Sequence, residues 1–227
     1  MDALENLINK QSQSLSQNFV LIIDEINRAN ISKVFGELIS LLEPDKREGS
    51  ENSLTVKLPY SGDDFSVPSN LYIIGTMNTA DRSIALLDTA LRRRFDFEEL
   101  QPDYSLLSQI QIDDVNLGTL LKALNERIEH FYDRDHVIGH AYFIGVKTVS
   151  DLDYVLRRKV LPLLQEYFYE DWSKIIDVLN DRDGLFIETK NSISLAGVDT
   201  YTDSGYRPRY RVKNTSFPID AYLNIYQ

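Results

Sequence analysis

Two continuous apolar runs in the first half of the chain predict the strands of a parallel sheet. Residues 19–23 form one run, which stops at Asp24, and residues 71–74 form the other, which leads into Gly75. Runs of this length and composition are typical of strands that are buried on both faces. Between them, apolar residues recur at helical spacing from 31 to 43, which predicts an amphipathic helix. The order strand, helix, strand indicates an α/β fold with helices flanking a parallel sheet.

Weaker patterns fill the rest of this half. Residues 54–58 and 65–67 flank a turn-forming segment and predict a β-hairpin. A short helix is expected at 83–92, and residues 95–97 are a candidate third strand.

The pattern becomes helical after Pro102. Apolar spacing predicts helices at 117–131, 152–168 and 172–179, the second of them interrupted at Pro162. We therefore expect four segments. They are a polar helix or linker at 1–18, a partial α/β core at 19–102, a mainly helical domain at 103–184, and a tail with β-like pieces at 185–227.

Composition narrows the functional classes. The chain has no cysteine, which excludes disulfides, thiolate metal sites and cysteine nucleophiles. No apolar run approaches membrane-spanning length, and the first residues lack the pattern of a signal peptide, so we expect a cytoplasmic protein without membrane contact. The net charge of −11 argues against a main duplex-DNA binder. Arginines do cluster locally, at 92–94 and at 207, 209 and 211.

Asp24 and Glu25 follow the first strand, at the edge where open α/β sheets bind ligands. Two adjacent carboxylates can divide a phosphoryl-transfer task, because one can hold hydrated Mg²⁺ while the other orients or deprotonates a water. The alternative is an ordinary acidic pair that caps the following helix. A carboxylate–metal nuclease is a further reading, although other acidic residues at suitable strand ends are missing.

Polar residues further along the chain could complete such a site. The amide of Asn78 could hold the attacking water or a phosphate oxygen, or Asn78 could be a turn residue. Arg92, Arg93 and Arg94 end an apolar helical stretch. Arginine stabilises the charge that develops in phosphoryl transfer, also across a subunit boundary. The alternative role of these arginines is favourable charge at a helix C-terminus.

Four motifs in order carry a family resemblance. They read Asp-Glu-Ile-Asn-Arg-Ala-Asn at 24–30, Met-Asn-Thr-Ala-Asp-Arg-Ser at 77–83, Ala-Leu-Arg-Arg-Arg-Phe at 90–95 and Ile-Gly-His-Ala-Tyr-Phe at 138–143. This set resembles the AAA+ family and, within it, the McrB-like GTPase motors of 5-methylcytosine-specific restriction systems. The resemblance covers roughly residues 19–145 and implies a partial α/β AAA+ core followed by a helical lid.

The resemblance also implies roles for individual residues. Asp24 would be the Walker B aspartate that holds Mg²⁺, Glu25 the catalytic carboxylate, and Asn78 the sensor that positions water. Further residues would act around the nucleotide. Arg93 and Arg94 would reach the nucleotide of a neighbouring subunit with Arg28 at the same boundary, Asp81 and Arg82 would link these parts, and His140 would approach from the lid or pack between helices.

By the same resemblance, the parent protein would be a ring, expected to be a hexamer, that hydrolyses GTP or ATP. It would translocate DNA and drive an McrC-like endonuclease subunit, with an N-terminal module, absent here, that reads modified DNA. An ATP-driven AAA+ protein remodeller and a non-catalytic interaction module that joins or regulates a ring are the alternatives.

One departure from the family pattern concerns the phosphate-cradling loop, G-x-x-x-x-G-K-[S/T]. None of the 10 glycines is followed by lysine, and only 18 residues precede Phe19. In AAA+ domains this loop lies a full βαβ unit before the Asp-Glu strand. We therefore expect the isolated chain neither to bind nucleotide tightly nor to hydrolyse it.

Overall fold

The computed structural model describes residues 17–78, 80, 92–190 and 208–227. The chain divides into two units between Glu99 and Leu100, three residues before the predicted boundary. Most of the segment predicted at 1–18 and of the helix predicted at 83–92 lies outside the described residues. None of the described helices is long and apolar enough to cross a membrane.

The first unit is built on two parallel strands, β1 (Phe19–Ile23) and β4 (Leu71–Gly75), which pair in register from Phe19 opposite Leu71 to Ile23 opposite Gly75. Between them, α1 (Ile31–Phe35) continues as a 3-10 helix over Gly36–Leu42. Gly36 has a φ of +53°, a conformation that glycine adopts without a Cβ clash, and the helix type changes there. The predicted helix is thus present, but its second half is not α-helical.

The predicted hairpin is also present, formed by β2 (Val56–Lys57) and β3 (Asp64–Phe65). Before the hairpin, Arg47 links the 3-10 helix to the sheet, because its guanidinium donates to the backbone carbonyls of Leu42 and Leu71. The candidate third strand at 95–97 is wrong, because these residues are not in a strand. Phe95 packs instead with the cluster around Ile26.

The sheet is covered on one face only within the described residues, which corrects the expectation of strands buried on both faces. On the covered face, β1 and β4 pack against Leu38 and Leu41 of the 3-10 helix and against the β2–β3 hairpin. The other face consists of four apolar side chains. They are Val20 and Ile22 of β1, 50% and 67% exposed, and their register partners Tyr72 and Ile74 of β4, 54% and 52% exposed.

The second unit is mainly helical. Its elements are β5 (Gln111–Ile112), β6 (Val115–Asn116), α2 (Leu117–Phe131), α3 (Val149–Val155), α4 (Leu161–Tyr167), α5 (Trp172–Leu179), β7 (Ile187–Lys190), β8 (Arg209–Val212) and α6 (Ile219–Asn224). Side chains cap the starts of α2 and α3, where Asn and Thr are preferred. Asn116 accepts from the Thr119 N–H, and Thr148 with Asp151 forms a capping box on α3.

Pro162 does not interrupt the second predicted helix. Leu156–Val160 form a π-helical turn that joins α3 to α4, and Pro162 lies in the first turn of α4. Proline has no N–H to donate to the preceding turn, and a π turn lets the chain continue without the usual hydrogen bond.

The C-terminal tail belongs to the second unit, so the predicted boundary at 184/185 does not separate two compact bodies. β7 and β8 pair antiparallel, and Phe186, Phe217 and Tyr222 are buried in the same core as the helices. Trp172 of α5 stacks on Tyr210 of β8, with ring centroids 5.9 Å apart.

Candidate functional site

The parallel pairing of β1 and β4 brings the two predicted motif ends to the same edge of the sheet. The residues directly beyond the strands are Asp24 and Thr76, and their side chains meet, because the Thr76 hydroxyl donates to Asp24 Oδ1. The same hydroxyl oxygen accepts from the Glu25 N–H at 3.0 Å. Thr76 therefore fixes both members of the acidic pair to the neighbouring strand, which sequence reasoning did not identify.

Glu25 has an unusual backbone. Its φ and ψ are both 50°, the left-handed region, which costs a non-glycine residue about 1–2 kcal/mol. The Thr76 contact and the hydrogen bond from the Ile26 N–H to the Thr76 carbonyl, 2.8 Å long, hold it there. Strain held in place by surrounding contacts concentrates at functional sites.

The carboxylate of Glu25 is not isolated, because it forms an ion pair with the guanidinium of Arg28 one turn later. Both side chains are about half exposed. Arg28 was expected at a subunit boundary, and that role stays a prediction. Within this chain, Arg28 holds the very carboxylate for which the sequence predicts a catalytic role.

Asn78 is joined to the acidic turn by Asn27, which donates from Nδ2 to the Asn78 carbonyl at 3.1 Å. The Asn78 Oδ1 accepts from the Ala80 N–H at 3.0 Å, as in an Asx turn. The turn role weighed for Asn78 is therefore present. No acceptor for the Asn78 Nδ2 is found among the described residues, and its role as sensor stays a prediction.

The arginine run separates into members with different surroundings. Arg93 is exposed and has no ion pair within the described part of the chain. Arg94 has a side chain only 15% exposed, and its Nη2 lies 2.7 Å from Glu43 Oε1, just beyond the 3-10 helix. Of the two arginines predicted to reach a neighbouring nucleotide, Arg93 has the accessibility for that role, whereas Arg94 is anchored to its own unit.

His140 lies in the second unit, in a short 3-10 helix. Its Nδ1 accepts a hydrogen bond of 3.0 Å from the Asp103 N–H, so the ring proton is assigned to Nε2. The same loop lowers the pKa of the Asp103 carboxyl, chiefly through the hydrogen bond from the Ser105 hydroxyl. The role of His140 toward nucleotide and its packing between helices both stay predictions. Asp81 and Arg82 lie outside the described residues.

The chemistry of the sheet edge suits Mg²⁺ better than a metal that needs a protein cage. Among the described residues, no cluster of three or more His, Asp or Glu side chains could hold a metal ion. Magnesium keeps several waters and is held by one or two carboxylates together with substrate phosphates. One exposed carboxylate, Asp24, oriented by a hydroxyl, fits that mode of binding.

Comparison with known proteins agrees with this geometry. The family model for the AAA domain of the dynein-related subfamily matches residues 5–95, in the first unit. The model of the McrB alpha-helical lid domain matches residues 116–176, in the second unit. The chain belongs to the McrB-like family of AAA+ proteins. Its α/β core with a helical lid is the fold that the motifs predicted.

Two curated proteins have sequences similar to that of this chain. The type IV methyl-directed restriction enzyme EcoKMcrB subunit of Escherichia coli (strain K12) is 39% identical over 187 residues, 73% of this chain and 40% of that protein. The type II restriction enzyme BsuMI component YdiS of Bacillus subtilis (strain 168) is 40% identical over 185 residues, 72% of this chain and 52% of that protein. The chain therefore spans about half of these relatives or less.

Proposed function

We propose that this McrB-like chain supplies the catalytic edge and the lid of a nucleotide-hydrolysing motor in a restriction system. The observation that carries the proposal is the junction of β1 and β4, where one hydroxyl, on Thr76, holds both Asp24 and the backbone of Glu25. Fixed carboxylates at the carboxyl edge of a parallel sheet suit phosphoryl transfer, which depends on positioning and on electrostatic stabilisation.

In this proposal each residue has a distinct task. Asp24 would hold hydrated Mg²⁺, which when bound neutralises the charge on the phosphates of GTP or ATP. Glu25 would orient and deprotonate the attacking water, and the Asn78 amide would hold that water in line. The Glu25–Arg28 ion pair would have to open or turn for Glu25 to reach the attacking water, because the guanidinium of Arg28 occupies the carboxylate.

The uncovered face of the sheet suggests where a phosphate-binding loop would lie. The β1–α1–β4 crossover covers one face, and crossovers between parallel strands are right-handed in nearly all cases. A helix that covers the other face would therefore follow a strand that lies beyond β4. The connection that contains this helix would lead back across the sheet in the opposite direction. That strand would end beside Asn78, and the N-terminus of its helix would suit phosphate binding there.

The four exposed apolar residues of that face, Val20, Ile22, Tyr72 and Ile74, would pack against this helix. A strand–loop–helix unit with the G-x-x-x-x-G-K-[S/T] pattern would then complete the nucleotide pocket. Ring formation would place the exposed Arg93 of one subunit at the pocket of the next. We also propose that the motor translocates DNA and activates an McrC-like endonuclease subunit, and the similarity to two restriction-enzyme subunits supports this part of the proposal.

The test is nucleotide turnover by the chain with and without a polypeptide that carries such a strand–loop–helix unit from an AAA domain. We expect turnover of GTP or ATP only in the mixture, and Ile22→Lys on the apolar face should abolish it. Tyr60→Lys, at the tip of the β2–β3 hairpin and highly exposed, is the control and should leave turnover unchanged. Micromolar binding of GTP or ATP by the isolated chain in calorimetry would contradict the proposal.

A further inference from the structure

The β7–β8 hairpin carries arginines that neither the fold nor the proposed catalytic edge uses. Along β8, Arg209 and Arg211 are exposed, while Tyr210 and Val212 alternate with them and are half-buried. Neither arginine has an ion pair or a side-chain hydrogen bond within the described part of the chain. Glu188 lies directly opposite Arg211 in the register, and residues directly opposite in a ladder share a face. We call Arg209 and Arg211 the hairpin face.

The strand that carries the hairpin face, β8, is anchored to the rest of the second unit by neighbouring residues. The Tyr210 ring stacks on Trp172 at an interplanar angle of 19°. Val212 lies opposite Ile187, which is buried in the core, and Arg157 donates to the carbonyl of Lys213, the next residue along the strand. The two arginines therefore keep fixed positions on the surface, so binding a ligand through them costs little ordering of the backbone.

The charge of the hairpin face is opposite to that of the chain. The whole chain carries −11, yet the charged side chains described on this face of β7 and β8 are two arginines and one carboxylate, Glu188. Residues two apart on a strand are about 6.8 Å apart, a spacing at which two arginine side chains can contact different phosphates of a DNA backbone. The two exposed arginines therefore offer a polyanion two cationic contacts on an otherwise acidic protein.

We infer that the hairpin face binds the phosphate backbone of DNA. The inference rests on the proposed function, because it gives a DNA contact to a motor that would move along DNA. Arginine contacts with phosphates position a protein on DNA without reading its sequence, and a translocating motor must hold every sequence it crosses. An acidic protein surface, such as a second copy of this chain, is the competing ligand that the test must separate.

The test is the salt dependence of binding between the intact chain and a short fluorescent DNA duplex, followed by anisotropy without nucleotide. Each phosphate contact contributes about 0.9 to the slope of log K against log salt. Arg209→Gln with Arg211→Gln should therefore lower the slope by about 1.8, since two contacts are lost. Arg158→Gln with Arg182→Gln removes the same charge from two other exposed sites of the second unit and should lower the slope much less.

Three results would overturn the inference. The first is the absence of DNA binding at low salt. The second is an equal loss of slope in both double variants, because the binding would then reflect net charge alone. The third is self-association of the wild-type chain in sedimentation that only the Arg209 and Arg211 double variant loses, since this would assign the face to a second copy. None of these results bears on nucleotide turnover, so a failure here and a failure of the proposed function remain distinguishable.

Discussion

Arg157 joins the C-terminal tail to the helical lid, and replacing it with methionine tests that junction. Its Nε lies 3.1 Å from Asp153 Oδ2, and its Nη2 donates to the Thr215 carbonyl at 2.8 Å. Its guanidinium also donates to the Lys213 carbonyl and lies 4.0 Å from the centre of the Phe217 ring. The ion-pair partners are only 20% and 19% exposed, so water cannot readily replace these contacts.

The expected cost follows from these contacts. Hydrogen bonds that involve a charged group are worth about 1.5–3 kcal/mol each, and removing one partner of a buried pair leaves the other charge uncompensated. Methionine keeps part of the packing over Phe217, so we expect Arg157→Met to lower the free energy of unfolding of the second unit by about 3 kcal/mol. Arg158→Met changes the next residue, which is exposed in the same π turn, and should cost less than about 0.5 kcal/mol.

The assay is urea unfolding followed by tryptophan fluorescence and by far-UV circular dichroism. Trp172 is the one tryptophan of the chain and stacks on Tyr210 of β8, so its fluorescence reports the docking of the tail directly. We expect the Arg157→Met midpoint to fall with both probes. Equal midpoints for the wild type, Arg157→Met and Arg158→Met would refute the reasoning, because the tail would then be held by its apolar residues alone.

Further predictions concern pH, a buried carboxylate and the sheet. Burial alone would raise the pKa of Asp153, but hydrogen bonds from Arg157 and from the Phe217 N–H outweigh burial and lower that pKa. The resulting stabilisation is fully present above the pKa that Asp153 has in the unfolded chain. The urea midpoint should therefore drop as the pH falls toward the lower pKa of Asp153 in the folded protein. Asp181 accepts from the N–H groups of residues 185–187, so Asp181→Ala should cost about 3 kcal/mol in urea unfolding by stranding them. Ile22→Lys, on the exposed face, should change stability by less than about 0.5 kcal/mol, whereas Leu21→Lys, on the covered face, should unfold the first unit.

The sequence allowed β1, β4 and the acidic pair to be predicted because each depends on local pattern. A short continuous apolar run predicts a buried strand without knowledge of the strand that pairs with it. The polar residues that directly follow the run then lie at the carboxyl edge of the sheet. The Thr76 contact with Asp24 was missed because it joins residues 52 positions apart. Thr76 stands directly before Met77-Asn78, so a hydroxyl at the strand end was the one available signal.

Other features depended on long-range packing. The ion pair between Arg94 and Glu43 could not be predicted, because nothing in the run of three arginines distinguishes Arg94 from Arg93, and the role of Arg94 toward a neighbouring nucleotide stays a prediction. The tail resisted assignment because its apolar residues are spaced irregularly and are buried against helices far away in sequence, as Phe186 and Tyr222 are. The uncovered face of the sheet could not be foreseen, because the sequence pattern of apolar residues in a strand does not show whether another element covers them.

The most direct measurement is the rate of a single nucleotide turnover in the completed motor, with nucleotide binding measured in parallel, for the wild type and for Glu25→Gln. The account predicts that Glu25→Gln keeps nucleotide affinity and loses rate by roughly 100-fold or more, as removal of a general base does. A variant that turns over nucleotide at the wild-type rate would contradict the claim that the junction of β1 and β4 is the catalytic edge.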